Sequence, residues 1–331
     1  DIYVFTTDRD LGEENAYNGV STDQWLTRDG FNIFYSSPAY LGRKNILKEI
    51  NTLGPDFLYL NSMFSKYFTI YPLMMKAGGL VKSEVILAPR GMLRSSALSH
   101  KPIKKKLFLQ LFRLLGIPGK IYFQATDDTE YNDIKNVFPS NRGVLLVPNL
   151  PGIQKPFSLP PDKKRGELKM IFVGRVHPIK NLDYILNCIN SVGSAIQLTI
   201  VAAMDDRQYW EQCKKIIEDL PANISVRLIE DLPHQQLESL LLQHHIFVLP
   251  TKGENFGHSI FEALAAGRPA LISDQTPWKD LAQHKAGYDL PLEDADRFSA
   301  VIRQFADMEM NDLEGWCRGA WNYCNRFIAT N

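Results

Sequence analysis

Cysteine is scarce in this chain: 331 residues hold four, Cys188, Cys213, Cys317 and Cys324, none in a C-x-x-C or other metal-ligand spacing. That argues against a disulfide framework or a cysteine-built zinc site and makes a reduced, cytoplasmic protein the expectation. Neither sign of charge is in excess, since 37 basic residues stand against 37 acidic ones. Without a global field, a nucleic-acid partner is not indicated. No apolar run approaches the ~20 residues that a membrane-spanning helix needs. No signal peptide is legible at the start, and there are no repeats or low-complexity tracts.

What is present is a chain long for one core and suited to two domains of about 150 residues each. Prolines from Pro148 to Pro161 mark a boundary, because they can continue neither a helix nor a central strand. Beyond it, strands expected at Met170–Val173, Gln197–Ala202, Ser225–Ile229, Ile246–Pro250 and Ala270–Ser273 alternate with helical patterns such as Gln208–Leu220 and His234–Gln243. That alternation predicts a parallel sheet with helices on both faces. Asp1–Thr7 reads as a strand from the first residue, and Leu313–Phe327 as an aromatic-rich helix.

The most informative stretch is Gly253–Gly267, GENFGHSIFEALAAG, which places two carboxylates eight residues apart across a strand-to-helix turn. The apolar run His245–Pro250 reads as a buried strand. In Ser259–Ala266, Ile260, Phe261, Leu264 and Ala265 recur at helical spacing. Glu254 then lies in the loop and Glu262 about one turn into the helix, so both can face a ligand at the helix N-terminus. Free N–H groups there attract anions, and Gly257 lets a phosphate approach the main chain. Taken alone, Glu254 could equally be a solvated residue before an ordinary amphipathic helix.

A second element upstream favours the site. Lys169–Gly174 is an apolar strand ending in glycine, followed by Arg175, Lys180 and a helix at Leu182–Ile189 with Asn181 as its N-cap. Two cations at the carboxyl end of a strand stand where open parallel sheets bind ligands. The Arg175 guanidinium can fork onto two phosphate oxygens, with Lys180 as a mobile point charge. Solvated loop cations are the commoner fate of one such pair, but not of this pair together with the two glutamates.

In order and spacing, GRVHPIKN, the Glu254-x7-Glu262 element and PALIS (Pro269–Ser273) resemble the nucleotide-sugar half of a retaining GT-B glycosyltransferase of family four, the glycosyl transferases group 1. The resemblance runs from about Gly166 to Trp278. Weaker similarity in Leu87–Leu93, ALSHKPIKKKLF and Phe123–Glu130 touches the acceptor half. It implies an α/β fold of GT-B type, two Rossmann-like domains with parallel sheets facing across a cleft. The implied domains are an acceptor-side 1–150, a nucleotide-sugar-binding 151–312, and a C-terminal helix, 313–331, packing back towards the first. Asp1–Thr7 would begin inside the first domain, after its first strand and Gly-rich loop.

The implied activity is transfer of a sugar from a nucleoside diphosphate sugar to a glycan or polyprenyl-linked acceptor hydroxyl, with retention and without a metal or other cofactor. Bacterial polysaccharide or lipid-linked glycan synthesis is the implied setting. The resemblance assigns catalysis to Arg175, Lys180 and Glu254. Donor binding falls to these with Gly174, Leu232, Asn255, Phe256, Gly257, His258, Ser259 and Glu262, and Asn61 and Arg90 stand on the acceptor side. Arg90 and Gln124 depart from the histidines the family often carries there. A GT-B-fold sugar-nucleotide epimerase and a catalytically silent nucleotide-binding relative remain alternatives.

Three smaller patterns complete the reading. Asp8-Arg-Asp10 and Asp294-Ala-Asp296 match a D-x-D metal pattern but lie in polar, turn-like contexts, where such pairs cap or solvate. His244-His245 precedes a buried strand and reads as structural, and His177 beside Pro178 as a loop-shaping residue. Between Glu84 and Asp127 there is no acidic residue but eight basic ones, and the segment Lys101–Leu115 patterns as an amphipathic helix that could lie against anionic lipid at the inner face of the membrane. A core-facing helix with a solvated basic end is the plainer alternative.

Overall fold

The computed structural model describes residues 1–10, 13–28, 30–94, 97–98, 102–148, 156–230 and 232–330. The chain divides into two compact units, Asp1–Val147 and Pro148–Asn331. The domain limit expected at 150/151 lies outside the described residues, as does Lys101.

The first unit runs β1 (Tyr3–Thr7), β2 (Trp25–Arg28), β3 (Phe31–Ser36), α1 (Arg43–Leu53), β4 (Phe57–Asn61), α2 (Tyr71–Ala77), β5 (Glu84–Ala88), α3 (Pro102–Leu114), β6 (Tyr122–Ala125), α4 (Asp128–Val137) and β7 (Gly143–Leu146). β4-β5-β6-β7 form a wholly parallel sheet, and β1-β3-β2 form a second. The expectation of parallel sheets is met in the first of these, but β2 runs antiparallel to β3. The near-continuous apolar run of β5 suits burial on both faces: Val85, Leu87 and Ala88 are fully enclosed. Val85 and Leu87 share a core with Leu60, Phe112, Phe123 and Phe138, the last two stacked at 5.2 Å between ring centroids.

The second unit runs β8 (Glu167–Val173), α5 (Leu182–Asn190), β9 (Ala195–Val201), α6 (Arg207–Glu218), β10 (Ile224–Ile229), α7 (His234–Leu241), β11 (Ile246–Leu249), α8 (His258–Ala265), β12 (Ala270–Ser273), β13 (Gly287–Leu290), α9 (Ala295–Asp307) and α10 (Met310–Thr330). All six strands are parallel, in the order β10-β9-β8-β11-β12-β13. The chain builds outward from β8 through β9 to β10, then returns to lay β11 on the other side of β8. This reversal is the topological switch point where doubly wound sheets open a ligand crevice at their carboxyl ends.

β11 and β12, four residues each, are buried along their whole length, which is why they read as uninterrupted apolar runs. The tail helix α10 begins at Met310 rather than Leu313. Within its own unit it lies along α8: Cys324 is fully buried against the Phe261 carbonyl, and the Phe327 ring packs 4.9 Å from that of Trp278. Among the described residues no helix is long and apolar enough to cross a membrane.

Candidate functional site

The site grows from the two loops that leave β8 and β11 on either side of the switch point. After Val173 the chain turns through Gly174 and Arg175 to Lys180, and after Leu249 it turns through Thr251 and Glu254 to Gly257. The loops are stitched together, since the Lys252 N–H and the Thr251 hydroxyl both donate to the Ile179 carbonyl, at 2.7 and 3.0 Å. Across this seam the Lys180 ammonium forms an ion pair with the Glu254 carboxylate. Both side chains are largely shielded, 16% and 13% exposed. The Glu254 backbone is held from behind by its N–H donating to the Gln275 carbonyl at 3.0 Å, so the β12 loop joins the same frame.

Arg175 is placed differently. Its guanidinium bonds the Asp205 carboxylate at 2.7 Å in the loop after β9, and the pair is open to solvent at 60% and 38% exposure. An exposed pair contributes only ~0–1 kcal/mol, so an incoming anion can take Arg175 from Asp205 at little cost. Gly174 lies beside the aliphatic stem of Lys180, and an added Cβ would meet that stem at an ordinary 3.7 Å. Its site therefore does not require glycine. Asn181 holds the expected N-cap position of α5 but makes no side-chain cap bond; its backbone is left-handed, at φ 60°. That conformation, which asparagine tolerates better than most residues, replaces the capping geometry.

The turn into α8 depends on Gly257. Its φ of 78° is left-handed, and a Cβ there would sit 2.8 Å from Ile260 Cδ1. The N–H groups of Ile260 and Phe261 both reach the Gly257 carbonyl, at 3.0 Å each. Those of His258 and Ser259 fall in the first turn, where a helix has no acceptor for them. The His258 side chain is exposed, while Ser259 and Asn255 are half-buried. Phe256 departs from its expected role: its ring is buried among Phe261, Trp278 and Phe327, and Trp278 Nε1 donates to its carbonyl at 2.5 Å. That ring supports the turn from behind and is not available to a ligand.

Glu262, one turn into α8, is 26% exposed and lies 2.7 Å from Nε2 of His234, the first residue of α7. Leu232, on the same approach to α7, is half-buried and packs on the core of the unit. In the first unit Asn61 and Arg90 also meet. Arg90 Nε donates to Asn61 Oδ1 and its Nη2 to the Tyr59 hydroxyl, both at 2.8 Å, and that hydroxyl donates to Gln124 at 2.6 Å. This polar cluster lies at the carboxyl ends of β4, β5 and β6. Two non-glycine residues beside it take up positive φ, Ser62 at 114° and Arg90 at 54°, a strain that persists where the surroundings impose it.

Asp205 and His234 were not among the expected site residues. Each is an ordinary loop or cap residue in the sequence, and only the placement of the β9 loop beside β8, and of α7 beside α8, gives them a role. The other patterns resolve as structure. Asp294 caps α9 by accepting from the Arg297 N–H at 3.1 Å, and Asp8 pairs with Arg9, which holds its carboxyl below the usual range. His244 bridges the Leu240 carbonyl and the Thr199 hydroxyl, His245 Nδ1 accepts the Lys169 N–H at 2.9 Å, and burial lowers the pKa of both imidazoles. His177 Nδ1 accepts the Ile179 N–H at 3.1 Å and shapes its loop. Among the described residues no group of three or more His, Cys, Asp or Glu side chains could hold a metal ion.

Residues 156–317 match the family described as Glycosyl transferases group 1. The chain is similar to the O-antigen chain mannosyltransferase RfbU of Salmonella typhimurium, with 25% identity over 148 residues, 44% of this chain and 41% of that one. It superposes on WaaG, a glycosyltransferase involved in lipopolysaccharide biosynthesis, with a TM-score of 0.64 at 13% identity, over 91% of this chain and 84% of that one. On S. aureus TarM, solved in complex with UDP, the TM-score is 0.60 at 15% identity, over 86% of this chain and 56% of that one. The chain thus spans about half the length of RfbU and TarM. Its α/β architecture is that of GT-B glycosyltransferase structures, and the match to Glycosyl transferases group 1 falls within its second unit.

Proposed function

We propose that the second unit binds a nucleoside diphosphate sugar and that the protein transfers the sugar to an acceptor hydroxyl with retention, without a metal. The observation that carries this reading is the shielded Lys180–Glu254 pair bridging the switch point, one turn from the opening of α8. RfbU is a mannosyltransferase and TarM binds UDP, which supports the same chemistry here. With WaaG they also support a setting in bacterial surface-polysaccharide or lipid-linked glycan synthesis.

The bond from the anomeric carbon to the diphosphate oxygen breaks, and its electron pair leaves with the diphosphate. Positive charge builds on the sugar and negative charge on the leaving group. Arg175, released from Asp205, and Lys180 meet the leaving charge together with the His258 and Ser259 N–H groups. Glu254 fixes Lys180 and accepts from the sugar hydroxyls, and Glu262 accepts from the ribose. The acceptor oxygen bonds the anomeric carbon and gives its proton to the departing phosphate. Asn61 and Arg90 hold the acceptor.

Release of nucleoside diphosphate from UDP-, GDP- or ADP-sugars in the presence of a lipid-linked glycan tests this. Removing one preorganised charged contact costs ~2.7–4 kcal/mol in the transition state, so Arg175→Ala and Lys180→Ala should each lower kcat about 100- to 1000-fold. Near-normal turnover in either variant removes that residue from the role. Interconversion of the sugar nucleotide with no acceptor present would assign the site to an epimerase instead.

A further inference from the structure

The sheet of the second unit carries a polar patch that lies apart from the donor site. Strands buried on both faces read as near-continuous apolar runs, yet β8 is interrupted at Lys169, β9 at Gln197 and Thr199, and β10 at Ser225 and Arg227. The register sets these five side by side: Lys169 is opposite Gln197, Gln197 opposite Ser225, and Thr199 opposite Arg227. Alternate positions along a strand share a face, so all five belong to one side of the sheet. The C-terminal end of α7 walls the patch with Leu240, Leu242 and His244, which makes it a pocket of 480 Å³. Lys169 precedes the Gly174 turn by five residues, so the pocket lies roughly 16 Å along β8 from the edge where the donor loops leave.

A sheet face merely turned to solvent is the plainer alternative, and the charges argue against it. Solvated surfaces intersperse both signs, but this pocket holds Lys169 and Arg227 and no Asp or Glu among its lining residues. Among the described residues neither cation makes a side-chain hydrogen bond or ion pair. The two stand two strands apart, about 10 Å, a span that long side chains can close around one phosphate. His244 senses the same field: burial first, then the charges of Lys169, Arg268 and Arg227, lower the pKa of its imidazole. Its Nδ1 faces the Leu240 carbonyl at 2.7 Å, which only accepts, so the neutral ring takes the Thr199 hydroxyl proton at Nε2, 2.8 Å away. The Thr199 oxygen is thereby left as an acceptor beside the two cations.

We propose that this pocket is a second ligand site that takes a phosphorylated sugar, with Lys169 and Arg227 on the phosphate and Gln197, Thr199 and Ser225 on the sugar hydroxyls. Arg227 forks onto two phosphate oxygens and Lys169 adds a point charge. Gln197 and Ser225 both donate and accept, and Thr199 accepts, which is what a ring of hydroxyls requires. The volume falls within the ~300–1,000 Å³ of small-molecule sites. The inference stands independently of the donor-site reading, because none of these residues belongs to that site.

Calorimetric titration of the full chain with glucose 1-phosphate, glucose 6-phosphate and mannose 6-phosphate, against inorganic phosphate and glucose, tests it. At least one sugar phosphate should bind, at least about tenfold more tightly than inorganic phosphate, and glucose should give no heat. A hydrogen bond to a charged group is worth roughly tenfold or more, so Lys169→Gln/Arg227→Gln should weaken that binding at least about tenfold. Lys169 is half-buried and Arg227 exposed, so the variant should keep the circular dichroism and thermal unfolding of the parent. Arg175→Ala should leave sugar-phosphate binding unchanged, and the double variant should leave nucleoside diphosphate titration unchanged, which separates failure here from failure of the donor site. No binding of any of the three by the folded parent overturns the proposal. So does binding no tighter than that of inorganic phosphate, binding indifferent to the double substitution, or binding that Arg175→Ala abolishes.

Discussion

The two cations of the proposed donor site differ in how firmly the fold holds them, and that difference is measurable. Asp205→Asn frees Arg175 from an exposed pair worth at most ~1 kcal/mol, so affinity for a nucleoside diphosphate should rise by up to about fivefold, an effect calorimetry reads and added salt erases. Lys180→Ala instead leaves the shielded Glu254 carboxylate without its ammonium. Breaking a buried pair from one side costs ~3–5 kcal/mol, the upper limit for a pair that keeps 16% and 13% exposure. Urea unfolding should show that loss, and Lys180→Met/Glu254→Gln should recover much of it while still failing to turn over substrate. Near-parental stability of Lys180→Ala would show the pair to be fully hydrated. His245 supplies much of the pH dependence. Burial pushes its imidazole down to about 4 from an ordinary 6.5, so between those values the unfolded chain binds the proton and the native one does not. Stability should therefore be full above pH 6.5 and fall towards pH 4, by about 3 kcal/mol. His245→Asn should reduce that slope in pH-resolved urea titrations and leave the part due to His244, whose imidazole pKa burial also lowers.

At the scale of elements, the legible parts were those in which one local rule decides. β8, β11 and β12 announce themselves because strands buried on both faces are unbroken apolar runs, and α8 because a left-handed glycine precedes a periodic helix. β13, with its sequence GYDL, offered neither run nor alternation, and its Gly287 abuts the backbone of Ala270 too closely to admit a Cβ. α9 was hidden because Asp294 and Asp296 read as a polar turn when they are in fact its cap and first turn. The antiparallel setting of β2 follows from its pairing with β3, which no residue in β2 states. Asp205 and His234 belong to the site only through neighbouring loops and helices, so tertiary placement alone could reveal them. The element junctions also carry predictions. The fully buried Arg268 guanidinium donates to the carbonyls of Ala266, His244, Ser158 and Leu159, tying the end of α8 to the segment that leads into β8. Arg268→Met would leave the buried Ala266 and His244 carbonyls unmet, at ~1–3 kcal/mol for each one that finds no water, and chemical denaturation should place the variant about 2 kcal/mol or more below the parent. Gly257→Ala should disturb the opening of α8 through both its positive φ and the Ile260 contact, and should weaken nucleotide binding more than it lowers overall stability.

For the whole molecule, the proposed function puts unlike tasks on its two units. The second presents the Lys180–Glu254 pair and the Glu262 carboxylate at its switch point, and the first presents a strained polar cluster at Asn61 and Arg90. A ligand that binds only the native second unit should raise its stability by ~2.7 kcal/mol at a hundredfold excess over Kd, visible as a higher Tm with the matching nucleotide and not with the others. The most direct measurement of the central claim is metal-free calorimetric titration of the chain with UDP, GDP and ADP, repeated with Glu262→Ala. The account predicts micromolar binding of one of the three, weakened at least about tenfold when the Glu262 carboxylate is removed. Absence of binding by the folded chain, or binding indifferent to Glu262, would contradict it.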